Sequence, residues 1–224
     1  MVEVADELRL IVTLTDEEVG VLIDHCDVDL PLPSLEGPAR SPSDAATRAA
    51  GRSLRARGLC DATGAPIDDV RQLLSSLRDQ AVRGERMVAD RIDHLRLAAS
   101  ADGFIGDLIT GDGFHQFVTG SPDGLADFLV GWVVPIECAF RGGLELRLSR
   151  EQLAEDHSLL AQLGDIEVVT SMTADHVVEQ DFSVYAGVDR AILAVAAESG
   201  VDFVSIDESG LRALVGSLLG QAVS

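Results

Sequence analysis

Phe117-Val118-Thr119…Gly124-Leu125 returns without a gap as Phe203-Val204-Ser205…Gly210-Leu211, 86 positions later (203 − 117). A second echo lies upstream of each. Val12-Thr13-Leu14-Thr15-Asp16-Glu17-Glu18 reads like Leu146-Arg147-Leu148-Ser149-Arg150-Glu151-Gln152, at an offset of 134 (149 − 15). Internal self-similarity is a statement about architecture, because each copy tends to fold as one supersecondary unit. The two offsets differ by 48 (134 − 86), so the first copy carries an insertion, placed within residues 27–80. The expected fold is α+β: a pseudo-two-fold duplicated unit with a central antiparallel β-sheet flanked by helices. Residues 1–134 would form the first repeat and 143–224 the second, shorter one, the two making a single domain.

The local signals around these echoes follow one order in both halves. Leu8–Leu14 reads as a strand, and Thr15 with Glu18 three residues on forms a capping box for a short helix striped by Val19, Leu22 and Ile23. Residues 27–42 hold four prolines (Pro31, Pro33, Pro38, Pro42) and read as an extended loop. A helix over 43–57 ends at Gly58, where a left-handed cap is wanted. A third helix opens at Asp68. Four strands are then expected near 83–90, 94–99, 104–110 and 114–119, with a turn at Arg91-Ile92-Asp93-His94 and hairpins at 101–103 and 111–113. Ser121 and Pro122 start the helix that ends this half near Val133.

The second half repeats the scheme. A strand over Leu144–Leu148 leads to a Ser149/Gln152 cap and a helix to about Leu163. Strands follow near 166–172, 176–185, 191–197 and 203–206, and Asp207 caps a last helix ending near Leu219. Asp207 stands where Ser121 does (121 + 86).

Composition narrows the function classes. The 224 residues are 46% hydrophobic and 25% charged, enough for a packed core, and the net charge is −21. Such a field repels nucleic acid and anionic membranes, so neither is an expected partner. The acidic N-terminus has no apolar signal segment, and the longest apolar run, Phe128–Ile136, is too short to span a bilayer, which suggests a cytoplasmic protein. Three widely spaced cysteines, Cys26, Cys60 and Cys138, suit a reducing compartment.

Catalytic equipment is sparse. The five histidines (His25, His94, His115, His157, His176) do not pair with one another or with cysteine at metal-ligand spacing, and read as structural or surface residues. No nucleophile elbow, P-loop or dinucleotide fingerprint occurs. Asp24-His25-Cys26-Asp27-Val28-Asp29 lacks the pattern of a calcium loop and reads as a solvated helix end. No catalytic residue, metal or cofactor is expected, and the chain reads as a binding protein rather than an enzyme. Arg48, Arg52 and Arg55 recur at i, i+4 and i+7 and share a helix face. They are expected to pair with the acidic remainder of the chain. The other reading is a docking surface for an acidic partner.

The order strand, capped helix, proline-rich loop, Ala45-Ala46-Thr47-Arg48-Ala49-Ala50-Gly51-Arg52-Ser53-Leu54-Arg55-Ala56-Arg57-Gly58-Leu59, Gly64 turn and Asp68-Asp69-Val70-Arg71-Gln72-Leu73-Leu74 resembles the EspG family. The resemblance covers residues 8–133 best. Those proteins are cytosolic chaperones of type VII (ESX) secretion in actinobacteria, and an all-arginine basic set without lysine fits a GC-rich genome of that kind. The resemblance implies a chaperone that keeps a helical-hairpin (PE/PPE- or WXG-like) substrate soluble. In the family the substrate docks on the loop after the second strand and on the C-terminal bundle. The residues at those places here are Arg91, Ile92, Asp93 and His94, and Ser149–Leu163. The rival reading, from charge, is an acidic immunity protein or antitoxin that neutralises a basic toxin. A monomer and a homodimer both fit the sequence.

Overall fold

A computed structural model of the chain describes residues 8–26, 32, 43–78, 82–100, 102–155, 163–174 and 182–222. The first half runs β1 (Arg9–Thr15), α1 (Asp16–Ile23), α2 (Asp44–Ala56), α3 (Asp68–Ser76), β2 (Val82–Val88), β3 (Arg91–Ser100), β4 (Gly103–Ile109), β5 (Phe114–Gly120) and α4 (Pro122–Val133). The second runs β6 (Glu145–Ser149), α5 (Arg150–Glu155), β7 (Val168–Ala174), β8 (Phe182–Ala186), β9 (Ala191–Ala197), β10 (Gly200–Ile206) and α6 (Glu208–Ala222). All the strands join one antiparallel sheet in the order β1-β5-β4-β3-β2-β7-β8-β9-β10-β6. That order reads the same from either edge. β2 and β7 pair at the centre, where Val82 faces Ala174 and Val88 faces Val168, and the local axis passes between them.

Register places the two sequence echoes in equivalent positions. Leu14 on the edge strand β1 lies opposite His115 of β5, and Leu148 on the edge strand β6 lies opposite Val201 of β10. These pairs are related by the two offsets, 134 and 86. The helix starts agree as well. Thr15 Oγ1 accepts from the Glu18 N–H at 3.3 Å while Glu18 Oε2 accepts from the Thr15 N–H at 3.2 Å. Ser149 and Gln152 make the same reciprocal pair at 3.1 and 2.8 Å. Ser121 and Asp207 cap α4 and α6 through the N–H groups of Gly124 and Gly210. Each cap satisfies a donor that helix geometry leaves without a partner.

Strand alternation divides the core into three parts. On one face of the sheet, α4 and α6 lie side by side over Leu95, Leu97, Met172 and Val184, with Leu129, Leu211 and Val215 supplied by the helices. On the other face, α1, α2 and α3 bury Leu22, Leu54 and Leu74 against Leu14 and Phe117. A smaller cluster of Leu148, Leu163, Ile192 and Phe203 lies on this second face of the other half. α2 stops at Gly58, whose φ of 71° takes the left-handed cap. The Leu59 N–H reaches the Leu54 carbonyl at 2.9 Å and the Gly58 N–H that of Arg55 at 3.0 Å, a Schellman ending. Gly84, in the middle of β2, is needed for another reason. A Cβ there would lie 2.5 Å from the Trp132 ring and 2.8 Å from Met172 Sδ.

Two expectations change. Arg91–His94 is not a turn: β3 starts at Arg91, and the hairpin turns through Ala89-Asp90, with Val88 opposite Arg91. Ala89 has φ 54°, a conformation glycine favours, so the turn carried no Gly or Asn signal. Alternation then continues without a break, Asp93, Leu95 and Leu97 being buried while Arg91 and Ile92 stay exposed. The strand expected at 166–172 is β7, shifted two residues on. α5 is described to Glu155 and β8 from Phe182, so the predicted helix beyond 155 and strand before 182 lie outside the described residues. So does the proline loop, except for Leu32. His157 and His176 fall outside too.

Candidate partner-binding surface

The second face of the sheet is covered at its two sides, by α1–α3 and by the cluster next to α5. Between them runs a strip of β3, β2, β7 and β8 on which Glu85, Met87, Ile92 and Ser171 are exposed. Register fixes what this strip presents. Met87 faces Ile92 across β2–β3 and Val169 across β2–β7, Glu85 faces His94 and Ser171, and Ser171 faces Ser183. Met87 and Ile92 are 45% and 47% exposed, forming an apolar pair beside the hairpin turn. Away from the turn the strip becomes polar. The Ser171 and Ser183 hydroxyls are 2.8 Å apart, and His94 Nδ1 stands 3.6 Å from Glu85 Oε1. Tyr185 borders it, and burial pushes its phenol pKa up. An apolar rim running into a hydrogen-bonding floor is what a partner with a mixed surface requires.

The hairpin is braced from the opposite face. Asp93 is buried, and its carboxylate accepts from Arg86 Nη2 at 2.9 Å, Arg91 Nε at 2.9 Å and the Gly111 N–H at 3.1 Å. Arg86 also donates from Nη1 to the Trp132 carbonyl at 3.1 Å, and its guanidinium carbon lies 5.1 Å from the Trp132 ring centre. These contacts tie the β2–β3 hairpin to the end of α4 and to the β4–β5 turn. Of the four hairpin residues singled out from sequence, Ile92 and His94 therefore lie on the open strip. Arg91 is exposed beside it, and Asp93 serves as the internal anchor. A cavity of about 270 Å³ lies against this anchor, bounded by Arg86, Leu108, Gln116, Phe128 and Trp132.

Arg48, Arg52 and Arg55 are exposed along α2, on the side away from Ala50 and Leu54. Their expected pairing with acidic neighbours is not found. Among the described residues none of the three side chains makes an ion pair or hydrogen bond.

Sequence reasoning passed over the most charged interior cluster. His115 is fully buried on β5. Its Nδ1 lies 2.8 Å from Asp107 Oδ2 and its Nε2 2.9 Å from Asp16 Oδ1. Burial pushes its pKa down, but the hydrogen bonds to Asp107 and Asp16, with their charges, outweigh it and raise it to about 9. The imidazolium thus joins β5, β4 and the first residue of α1. The members stand 8 and 99 positions apart, so spacing could not reveal them. The triad has no opening to solvent and acts as a structural clamp. Burial also pushes the Cys26 and Cys60 thiols up, which disfavours their reactive thiolates. Among the described residues, no three His, Cys, Asp or Glu side chains are grouped to hold a metal ion. No helix there is long and apolar enough to cross a membrane.

No protein-family profile and no curated protein sequence matches the chain. Its fold, however, is similar to a solved one. The type VII secretion system chaperone EspG5 of Mycobacterium tuberculosis, in the structure of its complex with a PE25-PPE41 dimer, superposes over 94% of this chain and 96% of its own, at TM-score 0.61 and 12% identity. At that identity the likeness speaks to the fold alone.

Proposed function

We propose that this protein is a non-enzymatic, cytosolic binding protein of the type VII secretion chaperone kind. The open strip of the central sheet receives the end of a helical-hairpin polypeptide and keeps it soluble before export. The observation that carries the reading is the exposed Met87–Ile92 pair beside that strip, on a fold shared with a chaperone solved in complex with a PE25-PPE41 dimer. The apolar tip of a helical hairpin would cover Met87, Ile92 and Val169. Its polar backbone ends would meet Ser171, Ser183 and the Glu85–His94 pair. The Asp93 anchor holds the hairpin rigid beforehand, which lowers the ordering cost of binding. The net charge of −21 keeps the complex soluble.

The test is co-expression with helical-hairpin proteins of the PE/PPE or WXG type encoded beside it, followed by co-purification and gel filtration. A one-to-one complex that survives high salt is expected. The double variant Met87→Glu/Ile92→Glu should weaken it about thirtyfold or more. If the chain binds no such protein and instead captures a basic toxin in a salt-sensitive complex, the chaperone reading fails and the immunity-protein reading replaces it.

A further inference from the structure

We propose that the Arg48–Arg52–Arg55 face of α2 is a second docking surface, built for an acidic polypeptide segment. The i, i+4, i+7 spacing strings three guanidinium groups along about 10 Å of one helix side. The chain holds 38 acidic residues against 17 basic ones, so carboxylate partners are abundant. Other arginines use them: Arg57 binds Glu18 at 3.1 Å, Arg86 and Arg91 share Asp93, and Arg141 pairs with Asp189. The three on α2 have no such partner among the described residues. A free cationic row in so acidic a chain is a feature the fold does not need.

The ground between the arginines supports a ligand as well. A concavity of about 200 Å³ is lined by the three arginines together with Val21, Gly51, Cys60 and Gly64. Gly51 sits mid-helix, where glycine costs about 1 kcal/mol relative to alanine. A Cβ there would meet nothing within 4 Å, so packing does not demand the glycine. What it preserves is the depression. The other lining residues are apolar or glycine, and the arginines are forked donors that match carboxylates in pairs. An acidic segment with carboxylates on either side of a small apolar residue fits this relief. A polyphosphate chain fits it less well: the surrounding field repels a long polyanion and no aromatic residue lines the site for base stacking. With a Debye length of about 8 Å at physiological ionic strength, the arginine row governs a short peptide at contact while the distant acidic surface is screened.

This surface shares no residue with the open strip of the sheet, so the two proposals fail separately. The probe is a fluorescein-labelled, alanine-based helical peptide with glutamates at i, i+4 and i+7, titrated with the whole chain and followed by anisotropy. A control peptide of the same composition scatters the glutamates around the helix. The aligned peptide should bind at least several-fold tighter than the scattered one. The triple variant Arg48→Gln/Arg52→Gln/Arg55→Gln should lose about tenfold or more, with its circular dichroism melting curve unchanged. Gly51→Leu, which fills the depression, should also weaken binding, and Met87→Glu/Ile92→Glu should leave it alone. Absence of binding at about 1 mM protein, equal binding by the triple glutamine variant, or tighter binding of single-stranded DNA than of the peptide would each overturn the proposal.

Discussion

The two halves of the sheet share a register but fill it differently. In the first half the positions beneath the edge helix hold Asp16, Asp107 and His115, fully buried and joined by two short hydrogen bonds. At the corresponding sites the second half has exposed Arg150, which follows the cap Ser149 as Asp16 follows Thr15, together with buried Ala194 and half-buried Val201. The difference goes with what lies above. The first half must hold down α1 and the inserted α2–α3 pair, and a charged clamp ties the α1 start to β4 and β5. Among the described residues, the second half has α5 to hold on that face. An exposed pair, Arg147 with Asp202, joins its two outermost strands instead. The same register thus carries a buried charged triad in one half and small or exposed residues in the other.

The largest test of that contrast is to give the first half the second half's residue. His115→Val should cost about 3–5 kcal/mol in urea unfolding, because the buried Asp107 carboxylate would lose its cation. Adding Asp107→Ala, the other residue copied from the second half, should return part of the loss, since the buried carboxylate that lost its cation is then gone. If the single variant unfolds like the parent, the clamp contributes nothing and the contrast is only one of packing.

The pH dependence comes next. The folded His115 pKa of about 9 stands above the ordinary 6.5, so the folded state holds its proton more tightly than the unfolded state. Its contribution is therefore fully present below about pH 6.5 and is lost as pH rises through about 9, by an amount of the order of 3 kcal/mol. Urea midpoints measured from pH 6 to pH 9.5 should fall across that window in the parent, and the His115→Val slope there should be flatter.

Gly84 and Thr170 make a smaller comparison, on the paired central strands and 86 positions apart (170 − 84). Gly84 has no room for a Cβ beneath Trp132, while Thr170 donates its hydroxyl to the Val133 carbonyl at 2.9 Å. Gly84→Ala should destabilise by about 2 kcal/mol through overpacking. Thr170→Val should cost about 1 kcal/mol for the lost hydrogen bond. Thermal melts in which Thr170→Val proved the worse of the two would reverse this assignment. The smallest effect has the opposite sign: Ala89→Gly should stabilise by about 1 kcal/mol, because Ala89 turns the hairpin at φ 54°.

Much of the frame was legible in the chain. Caps are local chemistry, so Thr15, Ser121, Ser149 and Asp207 could be read as helix starts from their own neighbours. Gly58 marked a helix end for the same reason. The hairpin at residues 89–90 was not legible, because its turn is made by Ala and Asp and is held by Asp93 reaching Arg86, Arg91 and Gly111. Alternation alone could not say where a strand begins when exposed Ile92 and buried Asp93 invert the usual pattern. On the candidate surface, residue types and positions were visible, but not which face stayed open. Arg48, Arg52 and Arg55 were recognisable as one helix face, whereas their lack of carboxylate partners depends on what stands across from them.

By itself the sequence determined the repeat, its two offsets, the order of strands and helices and the acidity of the surface. These are set by residue type and spacing along the chain, through hydrogen bonds and apolar periods that close within a few residues. Tertiary structure alone decided that β2 and β7 meet at the centre, that His115 sits between carboxylates 8 and 99 positions away, and that a strip of sheet with Met87 and Ile92 stays uncovered. Those outcomes come from long-range contacts. Their energies depend on which groups share a dehydrated space, and linear spacing does not record that.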